Sequence, residues 1–323
     1  MKQIISQLKN SHRLLVATHI NPDGDAIGSL IAMGLALEAL GKQATLHCGS
    51  PIPAVYRFLP ATDRITRTYD PSAGFDTAVI LDCGNFKRVG QAFADIEKIE
   101  TVINIDHHVT NTGFGNFQIV DTAACATAEI LYRLVKELDI RITPGMATAI
   151  YTGIFTDTGS FRFSNTNRAA FAICEEMVSL GMDPYKVAQN VYGTYSLGRI
   201  KLLNLALDSI EVAAGGKVSI MTLTRDMLFK TGTHREDIDG LINYARRIED
   251  VKLAVLLQEM ENGNGTAQVA PRFHVSLRSD GTLDVAEFAA TFGGGGHKVA
   301  AGFNIDAPLE DIRGKIVRMA EKL

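Results

Sequence analysis

The chain has 323 residues, of which 46% are hydrophobic and 21% charged, and its 32 basic and 36 acidic residues leave a net charge of −4. This composition is typical of a folded globular protein that is long enough for two hydrophobic cores. The lack of a basic excess argues against a protein that coats long nucleic acid, because such proteins neutralise many phosphates with lysine and arginine.

The cysteines and the N-terminal segment indicate the cellular compartment of the protein. The four cysteines are scattered without a CxxC spacing, which disfavours a disulfide framework or a cysteine zinc site and favours a reducing compartment. The opening stretch MKQIISQLKNSHRLL lacks the apolar core of a signal peptide, and no apolar run reaches transmembrane length. We therefore expect a soluble, cytoplasmic protein.

The first part of the chain alternates apolar runs with helical patterns. The runs are LLVATHI, QATLHC, TAVILDC and TVINIDHH, and the helical patterns are DAIGSLIAMGLALEALG, ATAEILYRLVKEL, PGMATAIYTGIF and NRAAFAICEEMVSLG. Short β-branched runs without polar alternation are typical of parallel strands that are buried on both faces. This part is therefore predicted to form a doubly wound, mainly parallel sheet.

The alternation of strand-like and helical segments is interrupted in the middle of the chain and then resumes. The stretch 183–210 has helical character with little sign of strands, and it is followed by the strand-like runs KVSIMTL, VKLAVLLQEM and RFHVSLRS. Helices are predicted for REDIDGLINYARRIE, LDVAEFAATF and PLEDIRGKIVRMAEKL. The whole chain is thus predicted to be an α/β protein with a first domain at 1–182, a helical linker at 183–211 and a smaller α/β domain at 212–323.

Carboxylate and imidazole side chains follow three predicted strands and one predicted helix of the first domain. They are His19, Asp23 and Asp25 after the first run, Asp82 after TAVIL, Asp106, His107 and His108 after TVINI, and Asp157 after AIYTGIFT. Any one aspartate could simply cap a helix. In an open α/β sheet, however, the carboxyl ends of the strands form the binding edge, and so many carboxylates there would repel one another unless a cation neutralised them. The sequence therefore predicts a metal centre.

The mixture of donors indicates which ions fit. Imidazole and carboxylate ligands without thiolate suit Mn²⁺ first, with Co²⁺, Fe²⁺, Zn²⁺ or Mg²⁺ as alternatives. The donors exceed the needs of one ion, which predicts two divalent ions roughly 4 Å apart that share a carboxylate. Such a pair activates a bridging water and clamps the oxygens of an in-line phosphoryl displacement.

A phosphate substrate would need cations from elsewhere in the chain. Candidates are Arg162 in SFRFSNT, Arg278 in VSLRS and His297 in GGGGH, although a single arginine is also common as a solvated surface charge. The glycines at 293–296 stand between a helical pattern and a strand-like run, so they are not a linker, and glycine backbone can approach an anion closely. The run favours phosphate or nucleotide binding, whereas the lack of GxGxxG after the first strand disfavours a dinucleotide cofactor.

At these residues the chain resembles the DHH phosphoesterase superfamily, which is named for the triplet present here as Asp106-His107-His108. The stretches HINPDGDAIGS, VILDCGN, NIDHHVTN, TGIFTDTGSFRFSNT and FGGGGHKVAAGF carry the resemblance over nearly the whole chain. They point to the stand-alone bacterial subgroup of nanoRNases, which also act as phosphatases on adenosine 3′,5′-bisphosphate.

The resemblance implies a role for each candidate residue. One ion would be held by His19, Asp23 and Asp82, and the other by Asp25, Asp82, His107 and Asp157. The implied catalytic residues are the bridging Asp82, His108, which would polarise the scissile phosphate or assist the leaving oxygen, and Asp106, which would support the imidazoles. The nucleotide would be bound across an interdomain cleft by His108, Arg162, Arg278, Gly294, Gly295, Gly296 and His297.

The implied function is a two-metal exoribonuclease hydrolase. It would degrade RNA of roughly two to five nucleotides from the 5′ end to nucleoside 5′-monophosphates and would dephosphorylate adenosine 3′,5′-bisphosphate to AMP. The expected partners are short single-stranded RNA and nucleotides, with no long duplex nucleic acid and no membrane, and the sequence does not determine the oligomeric state.

Other functions remain open at this point. Turnover of linear or cyclic dinucleotides (pApA, pGpG or c-di-AMP) would use the same chemistry. The GGGGH run argues against an inorganic pyrophosphatase, and the negative charge and lack of tryptophan argue against a nuclease on long single-stranded DNA. A non-catalytic nucleotide sensor would be expected to lack one or more of the metal ligands, all of which are present.

Overall fold

The computed structural model describes residues 1–193, 195–261 and 270–320. The chain divides into two compact units, Met1–Thr194 and Tyr195–Leu323. The strands of the first unit are β1 (Arg13–Thr18), β2 (Gln43–His47), β3 (Ile65–Thr66), β4 (Thr77–Leu81), β5 (Thr101–Asp106) and β6 (Phe117–Val120). Its helices are α1 (Lys2–Asn10), α2 (Gly24–Ala39), α3 (Phe93–Ile96), α4 (Thr127–Glu137), α5 (Pro144–Asp157), α6 (Arg168–Ser179) and α7 (Pro184–Tyr192).

The first unit is built on a six-stranded sheet in which every neighbouring pair is parallel, which confirms the predicted sheet. Its strands are apolar on both faces. In β1, Leu14 and Val16 belong to the core formed with α2, α4 and α5, whereas Leu15 and Ala17 belong to the core on the opposite face. Because both faces are covered, the strand sequences show apolar runs instead of alternation.

The strand order positions the candidate site. The order is β3-β2-β1-β4-β5-β6, so the direction in which the chain adds strands reverses between β1 and β4. The register pairs Thr18 with Leu81 and Leu81 with Ile105, so β1, β4 and β5 end side by side. The crevice beyond the carboxyl ends at such a switch point is where open α/β sheets bind ligands.

The second unit contains a mixed six-stranded sheet. Its strands are β7 (Glu211–Ala213), β8 (Val218–Leu223), β9 (Leu253–Glu259), β10 (Arg272–Ser279), β11 (Gly295–His297) and β12 (Ala300–Asp306), in the order β11-β12-β10-β9-β8-β7. Its helices are α8 (Leu197–Asp208), α9 (Arg225–Thr231), α10 (Ile242–Arg246), α11 (Val285–Ala290) and α12 (Leu309–Ala320). Only β8 and β9 pair in parallel among these described strands. Neighbouring residues of β8, Ile220 and Met221, enter two separate cores on opposite faces.

One predicted helix differs from the structure. The predicted helix at 235–249 is divided into a 3₁₀ turn at Arg235–Ile238 and the short α10, because Gly240 between them has a φ of +80°. The stretch 183–211 contains α7, which packs into the core of the first unit, and α8, which packs into a core of the second. Residues 194 and 321–323, which belong to predicted helical segments, lie outside the described residues.

No helix of the described residues is both long enough and apolar enough to cross a membrane.

Candidate metal centre

The first group of donors lies where β1 and β4 end. His19 follows β1 and Asp82 follows β4, and the His19 Nε2 atom is 3.5 Å from Asp82 Oδ2. Asp23 is the N-cap of α2, where its side chain accepts a hydrogen bond from Ala26 N. His19, Asp23 and Asp82 offer one ligand atom each, and these three atoms lie within 4.8 Å of one another. They therefore satisfy the spacing that a single ion needs.

A second group shares Asp82 with the first. Asp25 in the first turn of α2, Asp82 and His107 also offer ligand atoms within 4.8 Å of one another. Asp157, the last residue of α5, extends this group, since its Oδ2 is 3.7 Å from His107 Nε2. The structure therefore brings together all six residues that were expected to bind metal, as two sets that meet at one carboxylate.

The backbone at Asp82 is unusual. Its φ is +55°, in the left-handed region that costs an ordinary residue about 1–2 kcal/mol and that aspartate and asparagine tolerate better than most. Its two oxygens face different imidazoles: Oδ2 lies near His19, and Oδ1 is 3.7 Å from His107 Nε2. A carboxylate held between two donor groups in this way is suited to bridging two ions.

His108 is held by a fully buried carboxylate. Its Nδ1 is 2.7 Å from Asp106 Oδ1, and Asn111 Nδ2 donates to Asp106 Oδ2 at 2.6 Å. The same Asn111 amide also donates to Asn104 Oδ1, which ties the loop after β5 to that strand. This chain of contacts orients the ring of His108 and favours the tautomer with its proton on Nδ1, because a carboxylate accepts hydrogen bonds.

Several supporting residues were not expected from the sequence. Thr127 at the start of α4 donates from its hydroxyl to Asp82 Oδ1 at 2.8 Å, and Ser29 donates to Asp25 Oδ1 at 3.1 Å. Asn165 Nδ2 donates to Asp157 Oδ2 at 3.1 Å. The spacing of Ser29, one helical turn after Asp25, is a signal that sequence reasoning could have used. Thr127 offered no such signal, because it is far from Asp82 along the chain.

The buried carboxylates and imidazoles perturb one another. Burial, together with the charges of Asp82 and Asp157, raises the pKa of Asp25 well above its usual range. Burial acts on Asp82 in the same direction, but the hydrogen bond with His19 and the neighbouring imidazoles outweigh it and hold the pKa of Asp82 below its usual value. Burial lowers the pKa of His107, yet the surrounding carboxylates raise it above its usual value overall. Concentrated, buried negative charge of this kind is what a divalent cation neutralises.

Arg162 is exposed on the loop after α5. Its Nε donates to Gly159 O at 2.5 Å. Gly159, Ser160 and Phe161 precede it with φ values of 57°, 62° and 64°, so three consecutive residues are left-handed. Two of them are not glycine, and such backbone persists only where surrounding contacts enforce it; here Phe161 N donates to the Thr158 hydroxyl at 3.1 Å.

The remaining candidate residues belong to the second unit. Arg278 lies on the half-buried face of β10, opposite Ala254 and Ala300. The last two glycines of the run form β11 together with His297, and this strand pairs with β12. A side chain at Gly294 or Gly296 would collide with carbonyl oxygens of the paired segment. Two of the three candidate glycines thus have a packing reason for their identity, and anion binding by this run stays a prediction.

Each of the two units matches a known protein family. A model of the DHH family, N-terminal domain, matches residues 13–154, and a model of the DHHA1 domain matches residues 215–322. The chain belongs to the DHH family, with a DHHA1 domain in its second unit.

Individual relatives are similar over most of their length. The chain is 32% identical to the bifunctional oligoribonuclease and PAP phosphatase NrnA of Thermus thermophilus, over 90% of this chain and 83% of that protein. It is 26% identical to the NrnA protein of Bacillus subtilis that carries the same description, over 94% of this chain and 92% of that protein. Among solved structures, an exopolyphosphatase-related protein from Bacteroides fragilis superposes with a TM-score of 0.87 at 26% identity, covering 99% of this chain and 95% of that one.

Proposed function

We propose that this chain is a metal-dependent phosphoesterase that degrades very short RNA from the 5′ end to nucleoside 5′-monophosphates and converts adenosine 3′,5′-bisphosphate to AMP. The observation that carries the proposal is the pair of donor groups that share Asp82 at the switch point of the parallel sheet. The names of the relatives from Thermus thermophilus and Bacillus subtilis support both activities.

The donors fit two divalent cations. One set is His19, Asp23 and Asp82, and the other is Asp25, Asp82, His107 and Asp157. Their mixture of imidazole and carboxylate favours Mn²⁺, with Co²⁺, Zn²⁺ or Mg²⁺ as alternatives. When bound, such a pair lowers the pKa of a water molecule and neutralises charge that develops on the phosphate oxygens.

The two reactions are the same at the level of bonds. Each breaks a P–O3′ bond, and each leaves a nucleoside 5′-monophosphate with a free 3′-hydroxyl. In the RNA reaction the phosphate stays on the shortened strand, whereas in the bisphosphate reaction it leaves as inorganic phosphate. One arrangement of catalytic groups can therefore serve both substrates, provided that both present the 3′-phosphate in the same way.

His108 is the proposed group that acts on the leaving oxygen. Because Nδ1 lies 2.7 Å from the Asp106 carboxylate, Nε2 is the ring atom proposed to act on the substrate. As an imidazolium, Nε2–H would donate to a phosphate oxygen and then transfer its proton to the departing O3′. Asp106 is a positioning residue in this scheme, since it orients His108 and does not reach the substrate itself.

The substrate needs further cations and donors. Arg162 of the first unit and Arg278 and His297 of the second are the proposed phosphate-binding side chains. Backbone N–H groups of Gly294, Gly295 and Gly296 are the proposed donors beside them.

The proposed location is the cytoplasm. Cys48, Cys83, Cys125 and Cys174 are buried free thiols. Free thiols are typical of reducing compartments, where disulfides are rare.

The experiment is a substrate panel with Mn²⁺-loaded protein. RNA dimers, pentamers and long strands, adenosine 3′,5′-bisphosphate, pApA and pyrophosphate are compared by kcat/KM. We expect rapid hydrolysis of dimers to pentamers and of the bisphosphate, and slow hydrolysis of long strands. Equal rates on dimers and long strands would defeat the proposed preference for short RNA, and no phosphate release from the bisphosphate would defeat the second activity.

Asp82→Asn is the matched inactive variant. Asparagine keeps the size of the side chain and tolerates the left-handed backbone, so the fold should survive where alanine would add strain. We expect kcat/KM to fall at least about 100-fold on both substrates, because a shared ligand is lost. Unchanged rates in this variant would contradict the proposed metal centre.

A further inference from the structure

Helix α4 begins at the candidate metal centre, and its first residue is the fully buried Thr127. The N-cap, Ala126, has no side-chain oxygen that could accept the free N–H groups of the first turn. Asp25 accepts them instead: Thr127 N donates to Oδ2 at 2.6 Å and Ala128 N donates to Oδ1 at 2.9 Å. A proposed metal ligand from α2 thus caps a helix more than one hundred residues away.

The side chain of Thr127 contacts a second proposed ligand. Its hydroxyl donates to Asp82 Oδ1 at 2.8 Å, while its own N–H is used by Asp25. One residue therefore joins the two carboxylates through two different atoms. Asp82 Oδ1 is also the oxygen nearest His107 Nε2, so the contact lies on the side of Asp82 that belongs to the second donor group.

We propose that Thr127 is a positioning residue whose hydroxyl sets the affinity of the cation site formed by Asp25, Asp82, His107 and Asp157. This inference rests on the proposed function, because it assigns a role toward the cation which that function requires. Thr127 binds neither the cation nor the substrate directly; it acts through Asp82.

The physical reason is the mobility and repulsion of carboxylates. The terminal torsion of aspartate is broad, so a carboxylate without a partner turns easily. Asp25 and Asp82 carry like charges in a buried site and would turn away from each other. The hydroxyl bond holds the plane of the Asp82 carboxylate and still leaves Oδ1 a lone pair for a cation. Partners of this kind typically change metal affinity by about 10- to 100-fold.

The hydroxyl can be separated from the helix cap by substitution. Thr127→Val keeps the backbone N–H to Asp25 and nearly the same shape, and removes only the donor to Asp82. Thr127→Ser keeps the donor and removes the methyl group. Thr127→Ala repeats the loss of the donor without a second methyl group beside Asp82, which covers the case in which valine disturbs packing.

Thr152→Val is the matched control. Thr152 is also fully buried, and its hydroxyl donates to Thr148 O within α5 at 2.8 Å. The control therefore removes a buried threonine hydroxyl from the same unit without removing a hydrogen bond to a proposed ligand. Comparing its melting temperature with that of Thr127→Val separates a general loss of stability from a local effect on the cation site.

Mn²⁺ binding to the full chain is measured by electron paramagnetic resonance, which counts free and bound ions without any turnover. We expect two sites in the wild-type protein and in the Thr127→Ser and Thr152→Val variants. In Thr127→Val and Thr127→Ala one site should keep its affinity and the other should weaken about 10- to 100-fold, with loss of the signal of a coupled ion pair.

The possible failures are distinguishable. If both Mn²⁺ sites of the wild-type protein keep their affinity in Thr127→Val and in Thr127→Ala, the proposed role of Thr127 is overturned and the proposed metal centre is not. Fewer than two sites in the wild-type protein overturn the metal centre itself, and the role of Thr127 with it. Equal weakening of the site in Thr127→Ser also overturns the inference, because serine retains the hydroxyl.

Discussion

Gly153 of α5 lies where α2 and α4 pack against that helix beside the candidate metal centre. A Cβ atom at this position would be 2.7 Å from Asp25 Oδ1 and 2.7 Å from the Cβ of Ala128. Both distances are about 0.7 Å inside the 3.4 Å at which ordinary contact begins. The substitution Gly153→Ala therefore forces either the Asp25 carboxylate or α4 to move.

The expected effect on stability combines two opposing contributions. Alanine improves the intrinsic helix propensity by about 1 kcal/mol, whereas overpacking of a buried position costs about 1–3 kcal/mol. We therefore expect Gly153→Ala to lower the free energy of unfolding by up to about 2 kcal/mol, which is up to about 8 °C for a unit of this size. Because the displaced group is a proposed ligand, we also expect Mn²⁺ affinity to fall by about 10- to 100-fold.

Gly145→Ala in the same helix is the control. A Cβ there would meet Pro60 and Leu35 at ordinary distances, from 3.4 Å upward. It should leave the melting temperature unchanged or raise it by a few degrees, by about the helix-propensity gain. Thermal unfolding in chelator and Mn²⁺ titration of both variants provide the measurement. The reasoning is refuted if Gly153→Ala melts no lower than Gly145→Ala and binds Mn²⁺ with wild-type affinity.

Three further outcomes are expected. At saturating Mn²⁺, about one hundred times the dissociation constant, the free energy of unfolding should rise by about 2.7 kcal/mol per site and fall back on adding chelator; a melting temperature insensitive to Mn²⁺ contradicts the metal centre. Partial burial raises the pKa of Asp280, but hydrogen bonds from Thr282 and Lys252 outweigh it and lower the pKa to about 2. The ionised Asp280 therefore stabilises the folded state fully at pH values above the pKa that it has in the unfolded chain, and this contribution is lost as the pH falls through about 2. Asp280→Asn should therefore reduce the denaturant midpoint at pH 6 and matter progressively less toward pH 2, and an equal difference at both pH values counts against this. Gly294→Ala should destabilise the chain by about 1–3 kcal/mol through collision with the paired strand, whereas Gly295→Ala, which meets open space, should not; equal unfolding midpoints would exclude the packing explanation.

Local patterns in the sequence were sufficient to predict most helices and strands, but they failed where the backbone conformation of one residue interrupts a helix. The apolar runs before His19, Asp82 and Asp106 predict strands that the structure contains, because burial on both faces leaves a continuous signature. The predicted helix around Gly240 fails, since the apolar periodicity continues through a glycine that the fold uses with positive φ. The helix α1 was not predicted, although its buried Ile4 and Leu8 have helical spacing.

The sequence by itself determined which chemistry-bearing residues end the strands, and parallel strands necessarily present those ends at one edge. Only the tertiary structure decided the order β3-β2-β1-β4-β5-β6, which places the ends of β1, β4 and β5 side by side. It also decided that the start of α4 meets Asp25 and Asp82. Strand ends follow from local periodicity, whereas contacts between distant segments depend on how whole helices pack, and no short stretch of sequence encodes that packing.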